Sequence, residues 1–268
     1  MKLSFAISIS KTDFDAVGQG DFRKIMPYLS SIGYNGVELA IREPAKVPVR
    51  QLEELLASNR LAVPAIGTGQ AYLSENISLS SMDSEIRQKA INRLEEHIDL
   101  ANLFGANVII GLIRGGILKK GEQKSGMYFL TESLMSLCAK AENKNVLLLI
   151  EPINRYETSL FPTLSSAAEL INKIGSKKLR ILMDTFHMNI EEADMFESIK
   201  EYGNLIGHVH LADSNRLAPG RGHINFKEIM RSLNKIDYNG FISFEILPQP
   251  SVEQAAEGAF NFIKKLQR

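Results

Sequence analysis

Apolar runs of strand length alternate with amphipathic stretches along the whole chain, and this alternation limits the fold more than any other feature. Eight apolar runs lie near 3–8, 35–39, 61–67, 106–112, 146–151, 179–184, 205–210 and 240–246. Eight amphipathic stretches lie near 21–32, 49–59, 84–104, 125–144, 164–174, 195–203, 226–236 and 252–267. Strands that alternate with helices predict a parallel sheet, and eight such units within about 250 residues predict a closed barrel. The sequence therefore predicts the α/β class and a single (β/α)8 TIM-barrel domain over residues 1–268.

Four successive predicted strands end in a polar side chain. The run VLLLI stops at Glu151-Pro152, and Pro152 marks the end of the strand because proline cannot donate to a ladder. The next three runs, LRILMD, LIGHVH and GFISFE, end in Asp184, His210 and Glu245. The spacings of 33, 26 and 35 residues match barrel units of about 30 residues, so the four side chains are predicted to meet at one mouth of the barrel.

A divalent metal ion would explain why these four groups share one point. Three carboxylates and one imidazole would otherwise repel or perturb one another. Taken singly, Asp184 could be a helix N-cap, and His210 could be a core histidine with satisfied nitrogens. Their coincidence at matched strand ends favours a metal site instead. This oxygen-rich donor set favours Mn²⁺ as the first expectation, with Mg²⁺ or Co²⁺ as alternatives, over a thiolate zinc site.

Polar residues after the earlier strands are candidates for substrate contacts. Glu38 ends the second predicted strand and could face the mouth or serve the structure. The segment AIGTGQAY, residues 65–72, has glycines that permit a tight backbone beside a ligand, and Gln70 could contact substrate hydroxyls. Arg114, in the segment GLIRGG, is either a solvated loop arginine or the partner of an anionic substrate group.

Two later segments add basic residues to the predicted mouth. His187 lies on a predicted loop three residues after Asp184 and could donate to a substrate or support the site from outside. The segment DSNRLAPGRGH carries Arg216, Arg221 and His223, and barrel enzymes often bind phosphate in this region. These basic residues therefore keep a phosphorylated substrate among the alternatives. We assign structural roles, outside the site, to His97 and His208.

Composition limits the partners and the compartment. Lys+Arg and Asp+Glu both total 31, so the net charge of zero gives no general attraction to nucleic acid or to an anionic membrane. The single Cys138 permits no disulfide within the chain, which fits a reducing compartment. The first residues, MKLSFAISIS, are too short an apolar segment for a signal peptide, and no run is long enough to span a membrane. These features predict a cytoplasmic protein.

The segments EPINRYET, LMDTFHMNIEE, HVHLADSNRLAPGRGH and FISFE resemble those of the ketose 3-epimerases, the D-tagatose 3-epimerase group of the xylose isomerase-like barrels. The resemblance implies that the metal ligands are Glu151, Asp184, His210 and Glu245. It also implies that His187 and Arg216 bind oxygens on the carbonyl side of the substrate, and that Glu157 supports the site. In this family a metal chelates the C2 carbonyl and C3 hydroxyl of a keto-sugar and stabilises an enediolate. Glu151 and Glu245 would then act as acid and base, in an order that the sequence leaves open.

The early loops depart from the best-known members of this group. AIGTGQAY and GLIRGG do not look like the apolar and aromatic loops that cover the far end of neutral ketoses. They look closer to a subgroup that epimerises 5-dehydro-L-gluconate to D-tagaturonate, and Arg114 could pair with the carboxylate of such a keto-sugar acid. A keto-sugar acid is therefore the substrate that the resemblance leads us to expect. The resemblance also suggests a homo-oligomer, dimer or tetramer.

Four other functions remain as alternatives, and the last of them is a non-catalytic binding protein on the same barrel, which would leave the intact set of four ligands unexplained. A neutral ketose 3-epimerase acting on tagatose, fructose or psicose would replace the Arg114 contact with apolar contacts at the far end of the sugar. An aldose–ketose or hydroxypyruvate-type isomerase would use the same enediolate and return the proton to a different carbon. A DNA-repair endonuclease on the same barrel would need a multi-zinc cluster and a basic surface, which five histidines and zero net charge disfavour.

Overall fold

The barrel predicted from the alternation is the fold that the chain adopts. The computed structural model describes residues 1–267, in which eight parallel strands close into one barrel. Each strand pairs with the next, and the first also pairs with the eighth. The strands are β1 Lys2–Ser8, β2 Gly36–Ala40, β3 Ala65–Gly67, β4 Asn107–Ile110, β5 Leu148–Ile150, β6 Leu179–Asp184, β7 Ile206–His210 and β8 Phe241–Phe244.

Helices cover the outside of the barrel, and all eight predicted helices are present. The helices are α1 Phe22–Ile32, α2 Val49–Asn59, α3 Gly69–Glu75, α4 Ser84–Phe104, α5 Gln123–Lys144, α6 Leu164–Ile174, α7 Thr185–Glu191, α8 Met195–Tyr202, α9 Phe226–Lys235 and α10 Val252–Leu266. Single 3₁₀ turns occupy Pro44–Lys46, Leu112–Arg114 and Gly203–Leu205. Within residues 1–267, every helix is too short or too polar to cross a membrane.

The predicted elements differ from the structure in two respects. The third strand was predicted over 61–67 but covers only Ala65–Gly67, with an isolated bridge from Ala62 to Gly36, because Pro64 has no N–H for the ladder. Two short helices, α3 and α7, occupy segments that were predicted to be loops. Gln70 and His187 therefore lie on helices at the mouth of the barrel.

Strand β1 shows how the barrel separates its core from its interior. Leu3, Phe5 and Ile7 are fully buried and belong to the large apolar core between strands and helices. The alternate residues include Ser4, which points the other way because side chains alternate along a strand. Ser4 Oγ lies 2.5 Å from Ser243 Oγ of β8. The interior of the barrel on this side is therefore polar, and it supports the site above it.

Candidate active site

The four strand-end side chains converge as the spacing predicts. Register pairs Asp184 with His210 at the carboxyl ends of β6 and β7, while Glu151 and Glu245 directly follow β5 and β8. One ligand atom from each of the four lies within 4.8 Å of all the others. His210 Nδ1 is 3.7 Å from Asp184 Oδ2, 3.8 Å from Glu245 Oε2 and 4.0 Å from Glu151 Oε1. We refer to these four residues as the ligand cluster.

Three of the atoms that face the centre of the ligand cluster are left without partners. Glu151 Oε1, Asp184 Oδ2 and His210 Nδ1 are buried and have no hydrogen-bond partner among residues 1–267. The other oxygen of Asp184 accepts from the backbone N–H of Phe186 at 2.7 Å and so caps helix α7. Asp184 is thus the N-cap considered from the sequence, yet one oxygen remains free. Because buried polar atoms are almost always paired, this convergence fits a divalent cation with oxygen and imidazole ligands.

Space for Glu151 depends on a glycine at the end of the neighbouring strand. A Cβ atom on Gly111 would lie 2.9 Å from Glu151 Oε2, closer than real Cβ contacts allow. A larger residue would therefore push the carboxylate of Glu151 out of the ligand cluster.

Burial and mutual repulsion raise the pKa values of two carboxyl groups. For Glu151, burial is the main cause and the charge of Glu245 adds to it, so that its pKa lies well above the usual value. Burial likewise raises the pKa of Glu245 to about 7, even though His210 and Arg216 act to lower it. Glu245 can therefore hold or release a proton near neutral pH, and Glu151 holds its proton more tightly than an exposed glutamic acid does, which suits an acid–base pair.

Asp184 and His210 shift in the opposite sense, as an ion pair would. Burial acts to raise the pKa of Asp184, but the interactions with His187, His210 and Arg216 outweigh it and hold this pKa below its usual range. Burial acts to lower the pKa of His210, but Glu38 and Asp184 raise it well above its usual value. A cation at the centre would take over the role of the His210 proton.

His187 is held so that one nitrogen faces the ligand cluster. Its Nδ1 accepts from the side-chain amide of Asn154 at 2.8 Å, and the same amide donates to Glu157 Oε1 at 2.7 Å. Burial lowers the pKa of His187 to about 3, so the ring is neutral and its proton lies on Nε2. That nitrogen is 3.7 Å from Glu151 Oε1. His187 therefore presents a neutral N–H donor to the cavity.

Arg216 is placed by a tight turn after β7. Its φ of 58° is left-handed, and its backbone carbonyl accepts from Leu247 N at 2.8 Å. The guanidinium packs 4.7 Å from the ring centre of Phe186 and donates to Glu245 Oε2 at 2.5 Å. Arg216 Nη1 also lies 3.3 Å from His187 Nε2, so one substrate oxygen could contact both groups.

A cavity opens above the ligand cluster. Of the residues predicted to contact the substrate, Gln70, Glu157, His187 and Arg216 line it, together with Glu151 and Glu245. Gln70 is buried, and its amide donates to Ser8 Oγ at 3.0 Å. The remaining side chains in contact with the cavity are mostly apolar and include Phe14, Leu73, Leu112 and Ile153.

Arg114 takes neither of the two positions considered from the sequence. It is not solvated, since its exposed fraction is 0%, and it is not among the residues that line the cavity. Its guanidinium stacks 4.0 Å from the ring centre of Phe161, and Nη1 donates to the backbone carbonyl of Glu151. Arg114 thus contacts the wall behind Glu151. Arg221 and His223 are exposed and also lie outside the cavity lining.

Two supporting residues were not given their roles from the sequence. Asn154 orients His187, and its place three residues after Glu151 is the only signal that could have suggested this. Glu38 accepts from His208 Nε2 at 2.8 Å and lies 3.0 Å from His210 Nε2. A charged residue inside the otherwise apolar strand GVELA was the signal for Glu38, but its partner His210 is 172 residues away.

A family model described as a xylose isomerase-like TIM barrel matches residues 27–266. The chain belongs to this family. A D-psicose 3-epimerase of Enterocloster bolteae is 30% identical over 233 residues, which cover 82% of this chain and 75% of the relative. A 3-dehydro-D-guloside 4-epimerase of Escherichia coli is 26% identical over 234 residues, which cover 81% of this chain and 84% of the relative. The resemblance to the ketose 3-epimerases is confirmed, and with it the isomerase class.

Solved structures show the same fold. A D-allulose 3-epimerase from Methylomonas sp. in complex with D-allulose has a TM-score of 0.86 at 23% identity, over 99% of this chain and 96% of that one. At this identity the likeness concerns the barrel alone. The substrate of the present chain must therefore be argued from its own cavity.

Proposed function

We propose that this protein is a divalent-metal-dependent ketose 3-epimerase that acts on a neutral ketose such as psicose, fructose or tagatose. The observation that carries the choice of a neutral sugar is the composition of the cavity lining. Away from the ligand cluster the lining is mainly apolar. Among residues 1–267, Arg216 is the one arginine or lysine that lines the cavity, and Glu245 already neutralises it. A carboxylate at the far end of a sugar would be desolvated there without a cation to pair with.

The ligand cluster supports the metal dependence. Glu151, Asp184, His210 and Glu245 would hold the ion, for which Mn²⁺ is the first choice and Mg²⁺ or Co²⁺ the alternatives. A bound divalent cation would supply positive charge beside the ketone and hydroxyl oxygens of the sugar. The unpartnered atoms of Glu151, Asp184 and His210 support this assignment.

Glu151 and Glu245 are proposed to move the protons. They follow β5 and β8, which are not neighbours in the barrel, so they reach a bound sugar from different sides. One carboxylate takes the proton from C3, and the electrons of that C–H bond form the enediolate. The other carboxyl group then gives a proton to the opposite face of C3, and the configuration inverts. The raised pKa values of both groups suit this exchange.

His187 and Arg216 are proposed to stabilise the negative charge that develops on the ketone oxygen. Both present N–H groups at one side of the cavity, 3.3 Å from each other. A donor aimed at a developing oxyanion contributes about 3 kcal/mol in a site closed to water. Gln70 and Glu157 are proposed to bind sugar hydroxyls from the cavity wall.

A keto-sugar acid is the second substrate class that we consider. Its support is the resemblance of the early loops to those of the 5-dehydro-L-gluconate epimerases, which does not depend on which residues line the cavity. Its physical basis was a contact from Arg114, whose guanidinium instead faces Phe161 and the backbone of Glu151. A test must therefore include both classes of sugar.

The test is hydrogen exchange in D₂O. Purified protein with Mn²⁺ is incubated with psicose, fructose, tagatose, 5-dehydro-L-gluconate and tagaturonate, each with a chelator control. NMR follows the C3 proton and identifies the product. We expect metal-dependent exchange at C3 and a C3 epimer from the neutral ketoses.

Each other outcome would overturn a part of the proposal. Exchange confined to the acids would make the protein a keto-acid epimerase. An aldose product would make it an aldose–ketose isomerase, and inversion at C4 would make it a 4-epimerase. Absence of exchange in a protein that binds Mn²⁺ would exclude all five sugars as substrates.

A further inference from the structure

A buried chain of polar groups runs from the ligand cluster into the barrel interior. Glu38, His208, His210 and Ser243 have exposed fractions of 2%, 2%, 0% and 0%. Glu38 Oε2 lies 2.8 Å from His208 Nε2 and 3.1 Å from His210 Nε2, and Glu38 Oε1 is 3.0 Å from His210 Nε2. Ser243 Oγ lies 3.0 Å from His208 Nε2. Only His210 belongs to the ligand cluster, so the other three have no role in the proposed reaction.

The contacts of Glu38 determine where both histidines carry a proton. An ionised carboxylate can only accept hydrogen bonds. Both imidazole groups point Nε2 at it, so each must carry hydrogen on Nε2. The nitrogen of His210 that can offer a lone pair to a metal ion is then Nδ1, which faces Glu151, Asp184 and Glu245.

We infer that Glu38 is a positioning residue that fixes His210 in the tautomer whose Nδ1 can bind a metal ion. His208 holds Glu38 in place from the opposite side, with Ser243 behind it. This inference rests on the proposed metal site and adds a specific source for the orientation of one ligand. A partner of this kind fixes the ring and raises the basicity of the coordinating nitrogen.

A second metal site is the competing explanation for these residues. Glu38, His208 and His210 also bring one ligand atom each within 4.8 Å of one another. Both histidine nitrogens, however, lie at hydrogen-bond distance from the same oxygen of Glu38. The three groups satisfy one another without an ion, whereas the ligand cluster leaves three atoms unpartnered.

The first experiment compares Mn²⁺ affinity in the wild type and in Glu38→Gln by titration calorimetry. Both oxygens of Glu38 lie within 3.1 Å of His210 Nε2, so in either orientation the amide group of glutamine faces this nitrogen and opposes a hydrogen there. We expect the affinity to fall 10- to 100-fold. An unchanged affinity would overturn the inference. Two Mn²⁺ ions per wild-type chain, with one lost in the variant, would support the second metal site instead.

Ser243→Ala is the matched control. It removes a buried partner of His208 and Ser4 but leaves the bonds of Glu38 to both histidines. We expect its Mn²⁺ affinity to equal that of the wild type, even if its melting temperature changes. A loss as large as that of Glu38→Gln would indicate that general damage to the interior is the cause.

The second experiment needs no variant and reports the tautomer directly. Nitrogen-15 NMR of the wild type loaded with diamagnetic Zn²⁺ should show His210 with hydrogen on Nε2, in slow exchange with water, and none on Nδ1. Hydrogen on Nδ1 and a metal shift on Nε2 would overturn the inference even if Glu38→Gln failed to fold. A wild type that binds no metal would contradict the proposed function, whereas normal metal binding in Glu38→Gln would contradict only the role of Glu38.

Discussion

Glu245 shows how one side chain can serve both the ion and the proton. Its Oε2 lies 3.8 Å from His210 Nδ1, and burial raises its pKa to about 7. We expect Glu245→Gln to slow exchange at C3 at least about 100-fold, because an amide cannot carry the proton. Deuterium uptake measured by NMR gives the rate, and circular dichroism gives the melting temperature, which should change little.

Glu191→Gln is the matched control for this change. Glu191 also pairs with an arginine, Arg155, but it lies outside the cavity lining. The control should retain the exchange rate of the wild type. Turnover preserved in Glu245→Gln would remove this carboxyl group from the proposed proton transfers.

Arg114 gives the second prediction at the scale of a residue. Its guanidinium contacts Phe161 and the backbone of Glu151, and burial lowers its pKa to about 9. We expect Arg114→Met to weaken the binding of neutral and of acidic sugars by the same factor, because the side chain supports Glu151 from behind. The KM for psicose and the inhibition constant of tagaturonate measure the two effects. Selective loss of tagaturonate binding would return Arg114 to a role in substrate recognition.

At the scale of elements, the strands were predictable and the short helices were not. A buried strand is recognisable in the sequence as a continuous apolar run, and a charged residue marks its end, as at Glu151 and Asp184. Helices α3 and α7 have seven residues each, too few to show a helical period. The position of the ligand cluster therefore followed from sequence, whereas the helices that carry Gln70 and His187 required the structure.

The turn that carries Arg216 depends on a buried aspartate. Asp213 accepts from the backbone N–H groups of Ser214, Gly220 and Ile224 at 2.8, 2.8 and 3.1 Å. We expect Asp213→Ala to lower the free energy of unfolding by about 1–3 kcal/mol, because these partly buried backbone donors lose their buried acceptor. It should also raise KM, since Arg216 no longer has a fixed position. Urea unfolding and steady-state kinetics measure the two effects.

Asp194→Ala separates loss of stability from loss of position. Asp194 caps helix α8 by accepting from Phe196 and Glu197, and it does not line the cavity. It should reduce stability without changing KM. If KM also stayed normal in Asp213→Ala, the turn would not be what places Arg216.

At the scale of the whole molecule, barrel closure creates contacts that no local pattern contains. Glu38 and His208 are 170 residues apart and meet only because β1 joins β8 and brings β2 near β7. The burial of Arg114 likewise depends on Phe161, from a different loop. Sequence located the residues that end strands, but pairing across the closed barrel decided whether they face the cavity, the ion or one another.

The same closure makes stability depend on pH and on metal. Glu245 has its pKa raised from 4.5 to about 7, so the folded protein keeps a proton that the unfolded chain releases in this window. Without an ion, this carboxyl group therefore makes folding less favourable as pH rises through the window. Glu151 acts in the same direction, because burial and Glu245 raise its pKa as well. A cation replaces these protons and removes the penalty.

We therefore expect the stabilisation by Mn²⁺ to increase as pH rises from about 5 to about 7, by about 1.4 kcal/mol per pH unit for each proton displaced. The measurement is the melting temperature with Mn²⁺ minus that with chelator, across this range. Burial lowers the pKa of His97 to about 4, which makes folding more favourable as pH rises, but this contribution is the same in both arms and cancels. The slope of this difference should decrease above pH 7, where Glu245 has lost its proton and no longer contributes. A difference independent of pH would show that the ion displaces no protons and does not bind at these carboxyl groups.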